Sequence, residues 1–346
     1  MGRRVLVTGL GTYWGGRVAQ ALEADDNVEM IVGVGVEEPN VELTRTEYVK
    51  ADSSYSILAR IVQATQVDTI LHTFLALDSN RMSSRQLHEI NVIGTMNLLA
   101  ACSAADSPVR TVVVKSSTLI YGSNFRDPAW FVEESTRTRA PRTAVESSLL
   151  EVEGYLRDFA EDNPHVSVTL LRFANVLGTE IVTPISKALN LPAAPSILGF
   201  DPLMQFVEEN DVVRSIEFVM RNELPGVYNV AGDGKLPWSE VISICGRPTV
   251  PMSPFFTVPL LTPLNRFNLL DFPPEMMDLL RYGRGVDNRR LKRAGFSYRF
   301  TSAGAVEQYA AAVRLRNTVG DHEPTYRYER DVENFFQHSP AVVRES

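Results

Sequence analysis

Val5-Leu6-Val7-Thr8-Gly9-Leu10-Gly11-Thr12-Tyr13-Trp14-Gly15-Gly16 decides how the rest of the chain is read. It begins as an apolar run, passes through a glycine-rich turn and enters a helix. A buried parallel strand reads as a continuous apolar run, and Arg4–Val7 fits that pattern. Gly9, Gly11, Gly15 and Gly16 allow a tight turn and a close approach of backbone to a ligand. From Arg17 onward, Val18, Ala19 and Leu22 recur at helical spacing. A helix start aimed out of a parallel sheet presents N–H groups and the positive end of a dipole, which is a place for a pyrophosphate. The same turn also serves plain tight packing. Gly9, Gly11, Thr12, Tyr13, Trp14 and Gly15 are the candidate cofactor contacts, at the spacing G-x-G-x-x-x-G rather than G-x-G-x-x-G.

Working outward, Val28–Val36 reads as a second buried strand. In a dinucleotide fold an acid at its end holds the adenosine ribose. Gly35 stands at that place, and Glu37 and Glu38 follow. Either acid reaches a ribose and repels a 2′-phosphate, which favours NAD over NADP without excluding NADP; equally, both are solvated loop acids. Glu47–Asp52 is a third strand ending at Asp52 and Ser53. Asp52 is placed to bond an adenine amino group or to cap the following helix. Val67–Phe74 is the fourth strand, with Thr73 and Phe74 at its end. Glu89–Ala104 is an apolar helix containing Asn91, and Thr111–Ser117 is the fifth strand, ending in Lys115, Ser116 and Ser117. Thr73, Phe74, Asn91 and Ser116 join the candidate cofactor contacts. Strands alternating with helices predict a doubly wound parallel sheet.

Composition narrows the function. With 346 residues the chain suits one large α/β domain or a domain and a half. A net charge of −8 argues against nucleic acid as the main partner. Cys102 and Cys245 are the only cysteines and the five histidines have no ligand spacing, so no metal site is expected. No apolar run reaches the length of a membrane span and Met1–Arg4 leads straight into a strand, so the expected setting is cytoplasmic.

Val-Thr-Gly in the first strand and Ala-Asp at the third begin a series of motifs. The others are Asn-Val-Ile-Gly-Thr-Met-Asn-Leu-Leu (91–99), Ser-Ser-Thr-Leu-Ile-Tyr-Gly (116–122) and Leu-Arg-Phe-Ala-Asn-Val-Leu-Gly (171–178). Together, in this order, they resemble the extended short-chain dehydrogenase/reductase family, in its NAD-dependent epimerase and dehydratase branch, over about residues 3–300. The resemblance implies a Rossmann domain over residues 1–175, to which 204–231 return. It implies a smaller C-terminal α/β substrate lobe from 176–203 and 232–318, with 319–346 left as a polar tail. It implies NAD as cofactor, a nucleotide sugar as substrate, and a homodimer through the helices Asn91–Ala104 and Val145–Glu161. Ser117 matches the family's catalytic serine, Asn91 its supporting asparagine and Asn175 a residue that touches the ligand.

The family's proton acceptor is a Tyr-x-x-x-Lys pair on the helix that here reads Val145 to Leu156. Anchoring on Glu153 and Leu156 places Val145 and Leu149 at the two positions; sliding by two gives Thr143 and Ser147. No lysine occurs between Lys115 and Lys187, so neither register restores the pair. The expectation is an altered or missing base, or a catalytically inactive dinucleotide binder. Lys115 has the strand parity of Ser117, so both side chains leave one face, and a lysine in an apolar strand is costly unless it ends in polar company. Lys115 and Ser117 are therefore the catalytic candidates. Tyr121 and Tyr155 read as packing residues, and Glu146 and Glu151 as a solvated helix face. Thr12 stands at the turn's usual middle glycine and fits only at negative φ. Met204 replaces an arginine often used for the substrate's pyrophosphate, while Arg281 resembles another. Arg284, Arg289, Arg290, Lys292 and Arg293 around it read as a solvated helix face or a phosphate site.

Overall fold

The glycine-rich turn lies where the chain leaves the middle of a parallel sheet. The computed structural model describes residues 2–77, 82–254, 273–319 and 326–327. Its first half alternates strand and helix: β1 (Arg3–Thr8), α1 (Tyr13–Glu23), β2 (Val28–Gly35), β3 (Thr46–Lys50), α2 (Tyr55–Thr65), β4 (Thr69–His72), α3 (Ser84–Leu87), α4 (Gly94–Cys102), β5 (Thr111–Ser117), α5 (Ala144–Asp162) and β6 (Ser167–Phe173). Then follow β7 (Asn175–Leu177), β8 (Ile181–Val182), α6 (Pro184–Asn190), β9 (Ala194–Ile197), β10 (Leu203–Met204), β11 (Phe206–Glu208), α7 (Glu209–Arg221) and β12 (Gly226–Val230). Seven strands form one parallel sheet in the order β12-β6-β5-β4-β1-β2-β3. The order reverses between β1 and β4, and a crevice opens at the carboxyl ends of strands at such a switch point.

The sheet is buried on both faces, as continuous apolar strands require. Val112 and Val114 of β5 pack with α2, α4 and α5, while Val113 packs on the other face with α1 and α7. A third apolar cluster gathers Leu177, Ile185, Phe206, Trp238, Met276 and Tyr309 beside the sheet. The helix expected at Glu89 starts earlier, at Ser84, and passes through a π-helical turn, His88–Ile93, before α4. Asn91 sits in that turn, fully buried. Most of the expected polar tail lies outside the described residues; Tyr326–Arg327 pair in parallel with β8. Among the described residues no helix is long and apolar enough to cross a membrane, and none form a cluster able to hold a metal ion.

His72, at the end of β4, gives this core a pH dependence. Its Nδ1 lies 2.6 Å from Thr8 Oγ1 and its Nε2 3.3 Å from Thr95 Oγ1. Burial disfavours the imidazolium and holds the pKa down at about 4. The folded pKa is below the unfolded one, so the stability from a neutral His72 is complete above about pH 6.5 and is lost as pH falls toward 4. Denaturant titrations between pH 7 and 4 are expected to show a loss of up to roughly 3 kcal/mol from this group. His72→Gln should flatten that part of the profile.

Candidate functional site

Two depressions lie along the carboxyl ends of the strands, one lined by Gly9 to Thr12 and the other by Trp14 of the same run. The first is lined by Thr8, Gly9, Gly11, Thr12, Glu37, Asp52, Ser53 and Phe74. Thr12 caps α1 at φ −80, its hydroxyl donating to the Gly9 carbonyl (2.7 Å) and accepting from the Gly15 amide (3.2 Å). The threonine therefore meets the negative-φ condition, and the turn closes on its side chain. Gly9 has φ +72, and a Cβ there would lie 2.5 Å from Cβ of Phe74. A Cβ on Gly11 would lie 2.7 Å from the Glu37 carbonyl oxygen. Asp52 Oδ1 accepts the Ser54 amide (3.0 Å), so Asp52 both holds the turn into α2 and borders the depression.

The second depression is a cleft of about 150 Å³ lined by Trp14, Lys115, Ser117, Asn175, Glu275 and Arg284, among others. Lys115 is 8% exposed, with Nζ 5.1 Å from the Trp14 ring centroid and 5.6 Å from that of Phe173. Burial lowers its pKa to about 8. Ser117 Oγ accepts the Leu119 amide at 3.2 Å, which fixes the hydroxyl at the start of a 3₁₀ turn, Thr118–Tyr121. Asn175 donates to the Gln205 carbonyl (3.0 Å). Arg284, also 8% exposed, follows Gly283 at φ +68, which turns the chain inward; its Nη1 donates to the Gly122 carbonyl (3.0 Å).

A glycine turn before a helix N-terminus, at the switch point of a parallel sheet and with acids on the β2–β3 side, is the arrangement of a dinucleotide site. The sequence pattern of the NAD dependent epimerase/dehydratase family matches residues 5–231. The chain belongs to this family. Uncharacterized protein Rv0501 of Mycobacterium tuberculosis is 33% identical over 325 residues, covering 92% of this chain and 86% of that protein. Among solved structures, dTDP-glucose 4,6-dehydratase of Bacillus anthracis in complex with NAD superposes with a TM-score of 0.68 at 16% identity, covering 92% of this chain and 98% of the other. UDP-glucose 4-epimerase of Thermotoga maritima with UDP-glucose gives 0.67 at 19% identity, covering 91% and 99%. At these identities the superpositions speak to the fold: an α/β protein with a seven-stranded parallel sheet and a smaller C-terminal α/β region.

Within this family member the expected contacts divide. Gly9, Gly11, Thr12, Glu37, Asp52, Ser53 and Phe74 border the first depression, and Trp14, Lys115, Ser117 and Asn175 the second. Gly15 packs against the Gly9 backbone instead. Tyr13 turns away, its hydroxyl donating to Glu209 of α7 at 2.8 Å. Thr73 donates to the Thr8 carbonyl (2.9 Å) and fastens β4 to β1. Ser116 leaves the opposite face of β5 and donates to Glu153 (3.0 Å), because neighbouring residues of a strand alternate faces. Asn91 accepts from the Ala76 amide (2.7 Å) and donates to the Ala76 carbonyl (2.9 Å) and to Ser148 (3.0 Å), so its amide shapes the loop after β4. Arg281 donates to the Pro254 carbonyl (2.7 Å) and does not line the cleft.

Other expectations need correction. Of the basic cluster around Arg281, read as a solvated helix face or a phosphate site, Arg284 lines the cleft beside Lys115, while Arg289, Arg290 and Lys292 are exposed and pair with Asp287, Glu134 and Asp233. Glu146 is buried rather than solvated, accepting from Arg137 and the Arg142 amide at 2.8 Å each. Tyr155 is 40% exposed rather than packed. Tyr121 packs face to face with Phe131 and also bonds Asn229 and Arg172. On α5, Val145 and Leu149 are fully buried in the core, Thr143 is the N-cap and Ser147 is partly buried.

Proposed function

We propose that this chain binds NAD across the two depressions and works on a nucleotide sugar, or a ligand like one, in the cleft beside Lys115 and Ser117. The observation that carries the reading is the continuity of the glycine turn, through Trp14, with a cleft holding a serine, an amine, an asparagine and an arginine. The described residues fit the cofactor. Gly11 and Thr12 face the pyrophosphate, Asp52 and Ser53 the adenine side, and Glu37 the ribose, where it opposes a 2′-phosphate. Bound NAD supplies a hydride acceptor. Ser117 then hydrogen-bonds the reacting oxygen, and Lys115 is the amine placed to hold its proton in place of the family's Tyr-x-x-x-Lys pair. Arg284 offers charge to a substrate phosphate. Met96 and Tyr155, exposed on α4 and α5, suit a homodimer through those helices.

A second reading, a dinucleotide-binding regulator or scaffold without turnover, is favoured by the apolar burial of Val145 and Leu149. Calorimetry with NAD and NADP, followed by a panel of nucleotide sugars watched at 340 nm and by product chromatography, separates the two. We expect NAD to bind more tightly than NADP. Turnover should appear with at least one sugar nucleotide and fall about 10²-fold or more in Ser117→Ala. Stoichiometric NAD binding with no turnover establishes the second reading. No binding of either dinucleotide defeats both.

A further inference from the structure

Lys115 is only 8% exposed, yet among the described residues its amine has neither a hydrogen-bond acceptor nor an ion-pair partner. Its contacts are the faces of Trp14 and Phe173. The charged groups around it do not neutralise it. Arg284 and Glu275 line the same cleft from the segment 273–284. Glu209 of α7 accepts from Tyr13, the residue before Trp14, and from Thr179. His72 on β4 faces Thr8 and Thr95, and the neighbour of Lys115 on β6 is Leu171. A largely buried amine with no hydrogen-bonded or ion-paired partner is sensitive to any further charge that enters its cleft, because little solvent screens the interaction.

The proposed dinucleotide site, on which this inference rests, leaves little choice about what enters. With adenosine on the β2–β3 side and the pyrophosphate at the start of α1, the second ring passes over the ends of β4 and β5 into the cleft of Trp14 and Lys115. That ring is cationic in the oxidised dinucleotide and neutral in the reduced one. We propose that Lys115 makes the cleft discriminate between the two redox forms: its ammonium favours the reduced dinucleotide, and it gives up a proton when the oxidised one binds. The sign follows from the amine's own titration. With a pKa near 8 Lys115 is mostly protonated at pH 7, and two like charges then share a poorly screened site. Raising the pH removes the ammonium and with it the penalty on the oxidised form. The pyrophosphate and adenosine, common to both forms, cancel in the comparison.

The test needs no substrate. Calorimetry with NAD⁺ and NADH, in pairs of buffers of different ionisation enthalpy, reads affinity and proton exchange together. We expect a fraction of a proton released with NAD⁺ near pH 7.5 and none with NADH. The ratio Kd(NAD⁺)/Kd(NADH) should fall roughly tenfold between pH 6.5 and 9. Lys115→Met should bind both forms with a pH-independent ratio and no differential proton release. Lys115→Arg, charged throughout this range, should keep the preference for NADH at every pH. A wild-type ratio that ignores pH while both forms bind overturns the inference and leaves the dinucleotide site standing, as does a pH-dependent ratio that survives in Lys115→Met. Failure of both forms to bind overturns the site and the inference together.

Discussion

Gly15→Val should leave a folded but weakened protein that no longer binds NAD measurably. A Cβ at Gly15 would fall within 2.6 Å of the Gly9 carbonyl carbon and 2.8 Å of Leu10 Cα, and closer still to the Gly9 carbonyl oxygen. All three atoms are backbone, so no side-chain rotation relieves the clash. Either α1 shifts away from β1 or the turn opens. The first strains a helix whose Tyr13, Trp14, Val18 and Leu22 are buried; overpacking of this kind costs about 1–3 kcal/mol, and valine adds two methyls to the problem. The second breaks both bonds of Thr12, to the Gly9 carbonyl and from the Gly15 amide, and disperses the amides that would meet the pyrophosphate. A charge-assisted hydrogen bond is worth about 1.5–3 kcal/mol, so losing even one lowers affinity about ten- to a hundredfold. Gly154→Ala is the control. It lies within α5 with nothing inside 4 Å of its added Cβ, so it should leave NAD affinity unchanged and raise stability by roughly 0.5–1 kcal/mol. Unchanged NAD affinity in Gly15→Val, measured by calorimetry beside a melting curve, would show that the turn is only a packing device.

The turn was legible in the sequence because its constraints are local: a strand, a cap and glycines within a dozen residues. The strand ends that face the crevice were legible for the same reason, since a parallel sheet sends all its carboxyl ends one way. Side-chain parity is legible too. It puts Lys115 and Ser117 on one face, toward the cleft, and by the same alternation Ser116 leaves the other face, where it meets Glu153 instead of the expected cofactor. Glu146 had a signal as well: Thr143-Ala144-Val145-Glu146 is the spacing of a helix N-terminal cap, and the cap puts Glu146 beside Arg137 and the Arg142 amide. For Arg284 the sequence left a solvated face and a phosphate site open and had no means of choosing. The cluster's other members Arg289, Arg290 and Lys292 do face solvent, and the burial of Arg284 comes from the turn at Gly283 against the Leu203 backbone, a contact between segments about eighty residues apart. A charge cluster in sequence carries no information about which member folds inward.

Arg172→Met should be the most destabilising single change on the far face of the sheet, by about 3–5 kcal/mol. Arg172 Nε lies 3.1 Å from each oxygen of Glu153, Nη2 reaches the same carboxylate, and Nη1 donates to Tyr121 Oη (2.7 Å) and the Glu133 carbonyl (2.9 Å). Among the described residues Ser116 is the carboxylate's remaining partner. The side chains of Arg172 and Glu153 are 10% and 8% exposed, so removing the guanidinium strands a carboxylate in an apolar setting and leaves Tyr121 and Glu133 short of a donor. Burial already pushes the Glu153 pKa up against the pull of Arg172 and Ser116; without Arg172 only the Ser116 hydrogen bond opposes it, and the pKa rises further. A carboxyl whose folded pKa exceeds its unfolded value binds protons preferentially in the folded state. The deficit of Arg172→Met relative to wild type should therefore shrink as pH falls from 7 to 5. The double variant Glu153→Leu with Arg172→Met should be more stable than Arg172→Met alone, because an apolar pair of similar volume avoids the stranded charge. Urea unfolding of wild type, both single variants and the double variant closes the cycle. Additive losses at a deficit indifferent to pH would mean that the pair acts only by filling space, and that the ion pair behind Ser116 does nothing to hold the end of β5.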